Sequence, residues 1–249
     1  MAKKDRQKII LREVQLHNRV LLNDLAIMLE VSPDTVRRDI IELDTSDKLK
    51  RVHGGAQAIS YQPYNYNEHE IYFHDEKMNI AAKAVPLIKE NSISLISGGT
   101  TNLELARILP EELSSTFFTP SLPIAMQLLE HERIEVIFLG GRLSRSSQIA
   151  LGSNVLNTLA NIKFDNCFLG TSYLDSDHGL SEFDWEVVQL KQAMINASRK
   201  IISLTISEKL GTTQRYKVCD IGSIDVLVTE LASTDSKLDI FHQHGLEIL

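Results

Sequence analysis

The stretch Ser32-Pro33-Asp34-Thr35-Val36-Arg37-Arg38-Asp39-Ile40-Ile41-Glu42-Leu43 decides how the first part of the chain folds. Its opening predicts a helix start, because serine is a strong N-cap, proline suits the first helical position and aspartate complements the positive end of the helix dipole. Val36, Ile40 and Leu43 recur at the spacing of one helix face and predict a buried stripe. The stretch therefore predicts a short, well-capped helix.

The other face of this helix is polar and basic. Thr35, Arg37 and Arg38 fall outside the apolar stripe. An arginine pairs bidentately with guanine in the major groove or holds a phosphate, and a helix N-terminus attracts anions. We interpret the stretch as a DNA-recognition helix, although an ordinary solvated surface helix explains these twelve residues equally well when they are taken alone.

The flanking sequence favours the DNA-binding interpretation. Residues 23–30 (NDLAIMLE) predict a second short helix with a tight connection to the first, which makes a helix-turn-helix. Residues 6–15 predict a basic leading helix whose Ile10 and Val14 pack against the other two. Residues 48–56 (KLKRVHGGA) are basic and extended and end in a glycine turn, as a wing does. We therefore predict a small winged helix-turn-helix domain.

These segments resemble the signature of the DeoR family of bacterial transcriptional regulators. The matching positions are Arg6, Ile10, Val14, residues 31–40 (VSPDTVRRDI) and residues 53–56 (HGGA). One departure is the start of the second helix, where Leu21 or Leu22 stands in place of a small hydroxyl residue and predicts a weaker N-cap. The residues expected to contact DNA are Ser32, Thr35, Arg37, Arg38, Lys50, Arg51 and His53.

Length and composition limit the remaining choices. A chain of 249 residues with 43% hydrophobic content accommodates a small domain and a medium one. No apolar run approaches the roughly 18 residues of a membrane span, and the N-terminus is charged, so we expect a cytoplasmic protein. Cys167 and Cys219 form no CxxC pair and predict reduced, buried thiols. His242 and His244 have no third ligand nearby, so we expect no metal, and no cofactor is predicted.

Charge is distributed unevenly along the chain. The net charge is -7, yet residues 1–56 hold 11 Lys and Arg against 9 Asp and Glu, which leaves 15 against 24 for the rest. A mildly basic N-terminal segment is therefore followed by an acidic remainder. This asymmetry fits a DNA-binding module attached to a domain that does not bind DNA.

The domain boundaries follow from a change of pattern. We assign residues 1–57 to the winged helix-turn-helix domain, 58–74 to a linker and 75–249 to a second domain. The linker has no sustained period and is rich in tyrosine: Tyr61, Tyr64, Tyr66 and Tyr72. Because so many rings are unfavourable in water, we expect the linker to pack against one of the domains.

From residue 75 onward helical and strand patterns alternate. The predicted strands are 93–96, 116–119, 134–139, 166–169, 201–205 and 226–229, and the predicted helices are 80–88, 103–109, 123–129, 154–159 and 184–197. Pro86 is expected to shorten the first of these helices and Ser121 to cap the third. The alternation predicts an α/β domain with a largely parallel sheet.

Two glycine-containing loops follow predicted strands. In residues 97–101 (SGGTT) the glycines allow close approach of a ligand, and the following helix start with its threonines can hold a phosphate, although such a loop is more often only a turn. Gly140-Gly141-Arg142 follows another strand, and in a parallel sheet both loops lie at the same edge. Arg142 is either an anion ligand or a surface charge. Lys209 is a second candidate cation, although most such lysines are solvated.

The second domain also resembles the DeoR-family sensor domain, which is similar to ribose-5-phosphate isomerase and generally senses a phosphorylated sugar or related metabolite. The resemblance adds Lys191 to the site. The residues expected to bind the effector are Ser97, Gly98, Gly99, Thr100, Thr101, Gly140, Gly141, Arg142, Lys191 and Lys209. Ser97, Ser172 and Ile206 replace aspartates that the family commonly has, so the phosphate site is predicted more firmly than the sugar.

The sequence thus predicts a transcriptional regulator, in particular a repressor of a carbohydrate-catabolism operon, and not an enzyme. Its expected partners are double-stranded operator DNA, a phosphorylated sugar effector and further copies of itself, because one short helix reads too few base pairs. A sugar-phosphate isomerase with an attached helix-turn-helix is the alternative, with Asp175, Glu182 and Glu186 as candidate bases. A purely architectural DNA binder with an empty α/β domain is a third reading.

Overall fold

The structure is a computed structural model that describes residues 1–17, 19–59, 72–145 and 147–249. These residues form two compact units, Met1–Tyr72 and Phe73–Leu249. The division falls inside the predicted linker. Residues 60–71, with three of the four linker tyrosines, lie outside the described residues, and so does the predicted packing of those rings.

The described part of the N-terminal unit consists of helices and a small sheet. Its elements are α1 (Lys3–His17), β1 (Arg19–Leu21), α2 (Leu22–Met28), α3 (Pro33–Thr45), β2 (Lys50–Val52) and β3 (Gly55–Gln57). β3 pairs antiparallel with both β1 and β2. The predicted winged helix-turn-helix is confirmed. The structure adds one strand, β1, that was not predicted.

The core of this unit is the apolar stripe of α3 together with the inner faces of α1 and α2. Ile10, Val14, Val36 and Ile40 are at most 1% exposed. The weak start of α2 is confirmed as well, since its N-cap residue Leu21 makes no side-chain capping hydrogen bond.

The C-terminal unit alternates strands and helices. Its described elements are α4 (His74–Ala84), β4 (Ile93–Ile96), α5 (Thr100–Arg107), β5 (Ser115–Thr119), α6 (Leu122–Leu128), β6 (Ile134–Phe138), β7 (Arg142–Leu143), β8 (Ala150–Leu151), α7 (Ser153–Leu159), β9 (Phe164–Gly170), β10 (Tyr173–Asp175), β11 (Gly179–Glu182), α8 (Trp185–Asn196), β12 (Ser198–Leu204), β13 (Tyr216–Cys219), β14 (Val226–Val228), α9 (Asp239–His242) and β15 (Glu247–Ile248).

The main sheet of this unit confirms the predicted α/β architecture. Over the described residues it has seven strands in the order β15-β14-β12-β9-β4-β5-β6, and every pairing is parallel. The central strands are buried on both faces, as a parallel sheet covered by helices requires. Their carboxyl ends share one edge of the sheet, which is where ligands bind in open α/β folds.

Two local predictions need correction, and a third is confirmed. α5 begins at Thr100 and not at residue 103, so both threonines of the loop belong to the first helical turn. Ser121 occupies the N-cap position of α6, but its side chain makes no capping hydrogen bond. The prediction for Pro86 is right: α4 ends at Ala84 and the proline lies in a 3₁₀ turn, Val85–Leu87.

The short antiparallel strands of this unit were not predicted from the sequence. β11 pairs with both β10 and β13, and β7 pairs with β8. Each has only two to four residues. Such strands carry too few alternations for a period-2 pattern to be recognised, and their pairing depends on contacts made elsewhere in the fold.

Both cysteines are present as free thiols in the structure. Cys167 is buried and Cys219 half-buried, and both are unbridged. Burial raises the pKa of Cys167 to about 12 and that of Cys219 to about 11, so both thiols stay protonated at neutral pH. Among the described residues, every helix is too short or too polar to cross a bilayer.

Candidate functional site

The N-terminus of α3 is fixed by a side-chain cap. Ser32 has extended backbone angles, and its Oγ accepts a hydrogen bond from the Thr35 backbone N–H at 3.2 Å. The hydroxyls of Ser32 and Thr35 also lie 2.9 Å apart. The start of the helix is therefore rigid, which orients the side chains that follow it.

Arg37 and Arg38 are both exposed, on the side of α3 away from the buried stripe. Arg37 forms an ion pair with Asp34, three residues earlier, and the two side chains are 56% and 74% exposed. A pair this solvated contributes little stability, so the guanidinium can exchange the carboxylate for a phosphate or a base edge. This is the geometry expected of a reading face.

The wing presents the other predicted DNA ligands. Lys50, Arg51 and His53 are exposed on β2 and on the turn before β3. Gly54 forms this turn with φ +78°. A Cβ on Gly55 would lie 1.9 Å from a β1 backbone oxygen, so only glycine allows the wing to pack onto that strand.

The contact that holds α1 against the recognition helix was not predicted from the sequence. Arg6 forms a bidentate ion pair with Asp39, whose side chain is 2% exposed. On the solvent side, Lys3 and Gln7 of α1 reach Glu42 of α3. The acidic residues of α3 therefore fix α1, while its arginines stay exposed.

In the C-terminal unit the loops that follow β4 and β9 touch each other. A Cβ on Gly170 would lie 2.3 Å from the Gly98 carbonyl oxygen, and one on Gly99 would lie 4.0 Å from the Gly170 Cα. Both loops lie at the carboxyl edge of the parallel sheet. One predicted effector-binding segment, residues 97–101, is thus adjacent to the Gly170 backbone, which was not among the predicted site residues.

The start of α5 has the features of an anion site. Gly99 is its N-cap residue with φ +123°, a conformation that residues with a Cβ rarely adopt, and no side chain caps the helix. The first N–H groups of a helix have no intrahelical partners. They therefore remain available to a ligand, together with the hydroxyl groups of Thr100 and Thr101.

Ser97 has a structural role in this arrangement. It is 3% exposed, and its Oγ accepts a hydrogen bond from the Gly170 N–H at 2.7 Å. Asn102 donates its Nδ2 to the carbonyl oxygens of Ser97 at 2.9 Å and Phe168 at 3.1 Å. These bonds hold the two loops at a fixed separation.

Two predicted lysines meet at the end of β9. Lys191 donates to the Gly170 carbonyl oxygen at 2.7 Å and forms an ion pair with Glu182, and Lys209 donates to the Thr171 carbonyl oxygen at 3.0 Å. Burial, with a smaller contribution from the Lys191 charge, lowers the pKa of Lys209 to about 8. Two ammonium groups thus bind consecutive backbone carbonyls beside the 97–101 loop.

A third lysine joins them. Lys77 on α4 is 6% exposed, and burial together with the nearby charge of Lys209 lowers its pKa to about 7. Lys77 was not among the residues predicted to bind the effector. We refer to Lys77, Lys191 and Lys209 as the lysine cluster. The carboxylates Glu104 and Glu182 offset part of the cluster's positive charge. Burial still disfavours the charged lysines in the ligand-free protein, and an anion would favour them.

The second glycine loop is arranged differently. Arg142 lies on β7, and its guanidinium donates at 2.5 Å to the carboxylate of Glu186; the two side chains are 61% and 49% exposed. A Cβ on Gly141 would lie 2.8 Å from the Leu151 carbonyl oxygen, so this glycine allows β7 and β8 to approach. Gly140 has open space around it. In this structure Arg142 is a surface ion-pair partner.

In the part of the chain that the structure describes, no three His, Cys, Asp or Glu side chains are grouped so that they could hold a metal ion.

Comparison with known proteins agrees with both units. Residues 6–62 match the model of the DeoR-like helix-turn-helix domain, and residues 73–231 match that of the DeoR C terminal sensor domain. The HTH-type transcriptional repressor GlcR of Bacillus subtilis is 28% identical, over 100% of this chain and 96% of its own length. An HTH-type transcriptional regulator of Haemophilus influenzae is 30% identical (92% and 90%), and the glycerol-3-phosphate regulon repressor of Escherichia coli is 28% identical (100% and 99%).

Solved structures resemble parts of the fold. Ribose 5-phosphate isomerase A of Methanocaldococcus jannaschii is 18% identical, with a TM-score of 0.42 over 56% of this chain and 55% of its own. The eIF2B beta subunit of Chaetomium thermophilum is 14% identical, with a TM-score of 0.48 over 97% of this chain and 70% of its own.

A capped recognition helix, a basic wing and an α/β unit with a strand-end site define a two-part DNA-binding regulator. The chain belongs to the DeoR family of transcriptional regulators, with a helix-turn-helix domain followed by a sensor domain.

Proposed function

We propose that this regulator represses a carbohydrate-catabolism operon and that a phosphorylated sugar or related metabolite controls its affinity for operator DNA. Residues 1–57 would bind the DNA as a homo-oligomer, and residues 75–249 would bind the effector. The observation that carries the proposal is the position of the lysine cluster, because its carbonyl partners Gly170 and Thr171 adjoin the 97–101 loop.

Charge supports a phosphate as the recognised group. A phosphate carries nearly two negative charges at neutral pH and accepts several hydrogen bonds. The start of α5 offers N–H groups and two hydroxyls, and the lysine cluster offers ammonium groups in a partly desolvated setting, where they interact strongly with an anion. We assign the phosphate to Gly98, Gly99, Thr100, Thr101 and the lysines, with Ser97 holding the loop.

We propose a different role for the Gly140-Gly141-Arg142 loop. Arg142 is paired with Glu186 at the surface, so it would have to release that carboxylate before it could reach a ligand. Because both partners are exposed, this exchange requires little free energy. Arg142 is thus proposed as a group that contacts the effector after binding.

For the DNA-binding part, the support is the exposure of the basic residues. Arg37 and Arg38 would contact base edges or phosphates in the major groove, while Lys50, Arg51 and His53 of the wing would contact the backbone. Ser32 and Thr35 fix the helix start, whose N–H groups suit a DNA phosphate.

The isomerase alternative receives less support. Glu182, the best-placed carboxylate, is 3% exposed and already bonded to Lys191 and Ser172. Ser97, Ser172 and Ile206 offer no general base. Turnover of ribose 5-phosphate by the purified protein would favour the enzyme.

The decisive experiment joins calorimetry to DNA binding. Purified protein is titrated with a panel of sugar phosphates, their unphosphorylated sugars and inorganic phosphate, and operator affinity is measured with and without each compound. We expect a phosphorylated compound to bind and to change operator affinity, while the matching sugar does neither. Tight binding of an unphosphorylated sugar, or DNA binding that no phosphorylated compound alters, would contradict the proposal.

A further inference from the structure

The hairpin of β7 and β8 places one polar side chain in an unusual setting. Its returning arm runs beside the segment that follows β5: Leu122 N–H donates to the Gln148 carbonyl at 3.0 Å, and Ala150 N–H donates to the Pro120 carbonyl at 2.7 Å. Gln148 N–H in turn donates to the Ser144 carbonyl at 2.9 Å. The backbone of Gln148 is therefore held on both sides.

This arm also reaches the 97–101 loop. A Cβ on Gly98 would lie 2.8 Å from Cγ2 of Ile149, the residue after Gln148. Ser121 and Ile149 form an antiparallel bridge. Gln148 thus lies one residue from the contact between the hairpin and the loop to which we assign the phosphate.

The Gln148 amide is buried without hydrogen-bond partners. The residue is 3% exposed, and within the described residues neither Oε1 nor Nε2 has a partner. Its φ of +53° is one that residues with a side chain seldom adopt. Burial of an unsatisfied amide is unfavourable, so such a group in a native structure requires a specific explanation, and a bound partner is one.

Two more unsatisfied polar atoms lie at the same edge of the sheet. Asn102 Oδ1, in the first turns of α5, and Thr205 Oγ1, directly after β12, are buried and without partners in the described part of the chain. Because β12 pairs with β9, Thr205 is next to the end of β9, whose following carbonyl groups bind Lys191 and Lys209. Unsatisfied hydrogen-bonding capacity is thus present at several places around the proposed phosphate site.

We infer that the Gln148 amide hydrogen-bonds a hydroxyl group of the effector and so helps to select which phosphorylated compound is sensed. The inference rests on the proposed function. An amide offers one donor group and one acceptor, which matches a hydroxyl group that both donates and accepts. Glu182, a buried carboxylate that pairs with Lys191, is also engaged by Ser172, whereas the Gln148 amide has both of its hydrogen-bonding groups available.

Three variants test the inference. Gln148→Leu removes both hydrogen-bonding groups at similar volume, and Gln148→Glu keeps the size but adds a negative charge. Gln192→Leu is the control, because the Gln192 amide already has a partner, the Val218 carbonyl at 3.2 Å. Calorimetry with inorganic phosphate and with the preferred sugar phosphate of the wild type, and melting of the ligand-free proteins, are measured on all four proteins.

We expect Gln148→Leu to bind inorganic phosphate like the wild type but the sugar phosphate about 10-fold more weakly, as the loss of one good hydrogen bond implies. Gln148→Glu should weaken binding of both, since its charge lies near the phosphate. The ligand-free Gln148→Leu protein should melt at or above the wild-type temperature, because no hydrogen bond is lost. A purely structural glutamine would instead give a lower melting temperature and an unchanged preference.

The failure of this inference can be distinguished from failure of the proposed function. If the wild type binds a sugar phosphate, Gly99→Val abolishes that binding and Gln148→Leu leaves the preference for it over inorganic phosphate unchanged, only the inference is overturned. If the wild type binds DNA but no phosphorylated compound, the proposed function fails and the inference fails with it.

Discussion

Arg6 of α1 and Asp39 of α3 form a bidentate ion pair inside the helix-turn-helix core. The second of its two hydrogen bonds, from Arg6 Nη2 to Asp39 Oδ1, measures 3.1 Å, and the two side chains are 12% and 2% exposed. Asp39 lies between Val36 and Ile40, both fully buried. The pair therefore couples the first helix to the recognition helix through a position that an apolar residue could have filled.

We expect Arg6→Ala to destabilise the N-terminal unit by about 3 kcal/mol, because it leaves the Asp39 carboxylate buried without its partner. Hydrogen exchange of the α1 and α3 amides in the full chain measures the effect. Lys4→Ala, an exposed change on the same helix, is the control and should alter exchange little. Equal exchange in Arg6→Ala and Lys4→Ala would show that the pair contributes nothing.

This ion pair shows which features of the N-terminal unit could be predicted from the sequence and which could not. The cap at Ser32 and the stripe of Val36, Ile40 and Leu43 are local features, set by residue type and spacing, and the structure confirms them. Asp39 interrupts the stripe, and its burial makes sense only with Arg6, 33 residues away. A long-range pair of this kind leaves no local pattern.

The same distinction applies to the candidate site. The 97–101 loop was predicted because glycines, threonines and a following helix are contiguous in the chain. Lys77 and Gln148 were not. Lys77 looks like an ordinary helix residue until the fold places it near Lys209, and Gln148 looks like a loop residue until its neighbour Ile149 contacts Gly98. The start of α5 was predicted three residues late because the first turn is polar and carries no apolar period.

Substitution of the exposed arginines should weaken operator binding. We expect Arg37→Ala and Arg38→Ala each to lose about 1 to 3 kcal/mol where the contact is a bidentate base pair, and less where it is to phosphate. Mobility shifts over a range of salt concentrations, on an operator selected from random-sequence DNA, distinguish the two cases, because loss of a phosphate contact lowers the salt dependence.

A basic residue of the C-terminal unit provides the control for these arginines. Arg199, whose side chain is 70% exposed, should be replaceable by alanine with no change in binding. Folded Arg37→Ala and Arg38→Ala proteins that both bind like the wild type would exclude α3 as the reading element.

Assembly should be required for specific binding. One recognition helix contacts only a few base pairs, so we expect a homo-oligomer on repeated or inverted half-sites spaced by about one helical turn or its multiples. Light scattering gives the oligomeric state, and a spacing series of synthetic half-sites gives the geometry. Tight binding of a monomer to a single half-site at physiological salt would argue against this expectation.

Effector binding should weaken as the pH rises above neutrality. Burial lowers the pKa of Lys77 to about 7 and that of Lys209 to about 8, so in the ligand-free protein Lys77 is half deprotonated near pH 7 and Lys209 near pH 8. A bound phosphate favours the charged lysines, so binding near pH 8 must take up protons. Calorimetry in buffers of different ionisation enthalpy measures this uptake.

The variant Lys209→Met isolates one part of the pH effect. It should bind the effector more weakly at pH 7 and lose part of the fall in affinity between pH 7 and 9.

The burial of Lys77 also affects the stability of the ligand-free wild type, where its contribution to the free energy of unfolding increases with pH. The unfolded chain binds a proton at this lysine up to its ordinary pKa of 10.5, so this lysine makes the free energy of unfolding increase as the pH rises from about 7 to 10.5. If effector binding to the wild type takes up no protons at pH 8, the bound phosphate lies away from the lysines.

The last prediction separates sensing from DNA binding. Gly99 has room for a side chain, since its nearest neighbour beyond the adjoining residues would be 4.0 Å away, but its φ of +123° is strained for any residue with a Cβ. Gly99→Val should therefore shift the loop and the start of α5, and Thr100→Val removes a hydroxyl from the same turn at nearly constant volume. Both variants should lose the response to a phosphorylated effector.

Operator binding by these two variants should remain intact, because the recognition helix and wing belong to a separate compact unit with its own core. A ligand shifts a regulator only through unequal affinity for its DNA-competent and DNA-incompetent states, so a variant that binds no effector stays in its effector-free behaviour. Calorimetry and mobility shifts on the same preparations test both halves. If wild type and Gly99→Val bind the same sugar phosphate equally well, the phosphate site lies elsewhere and the two glycines form only a turn.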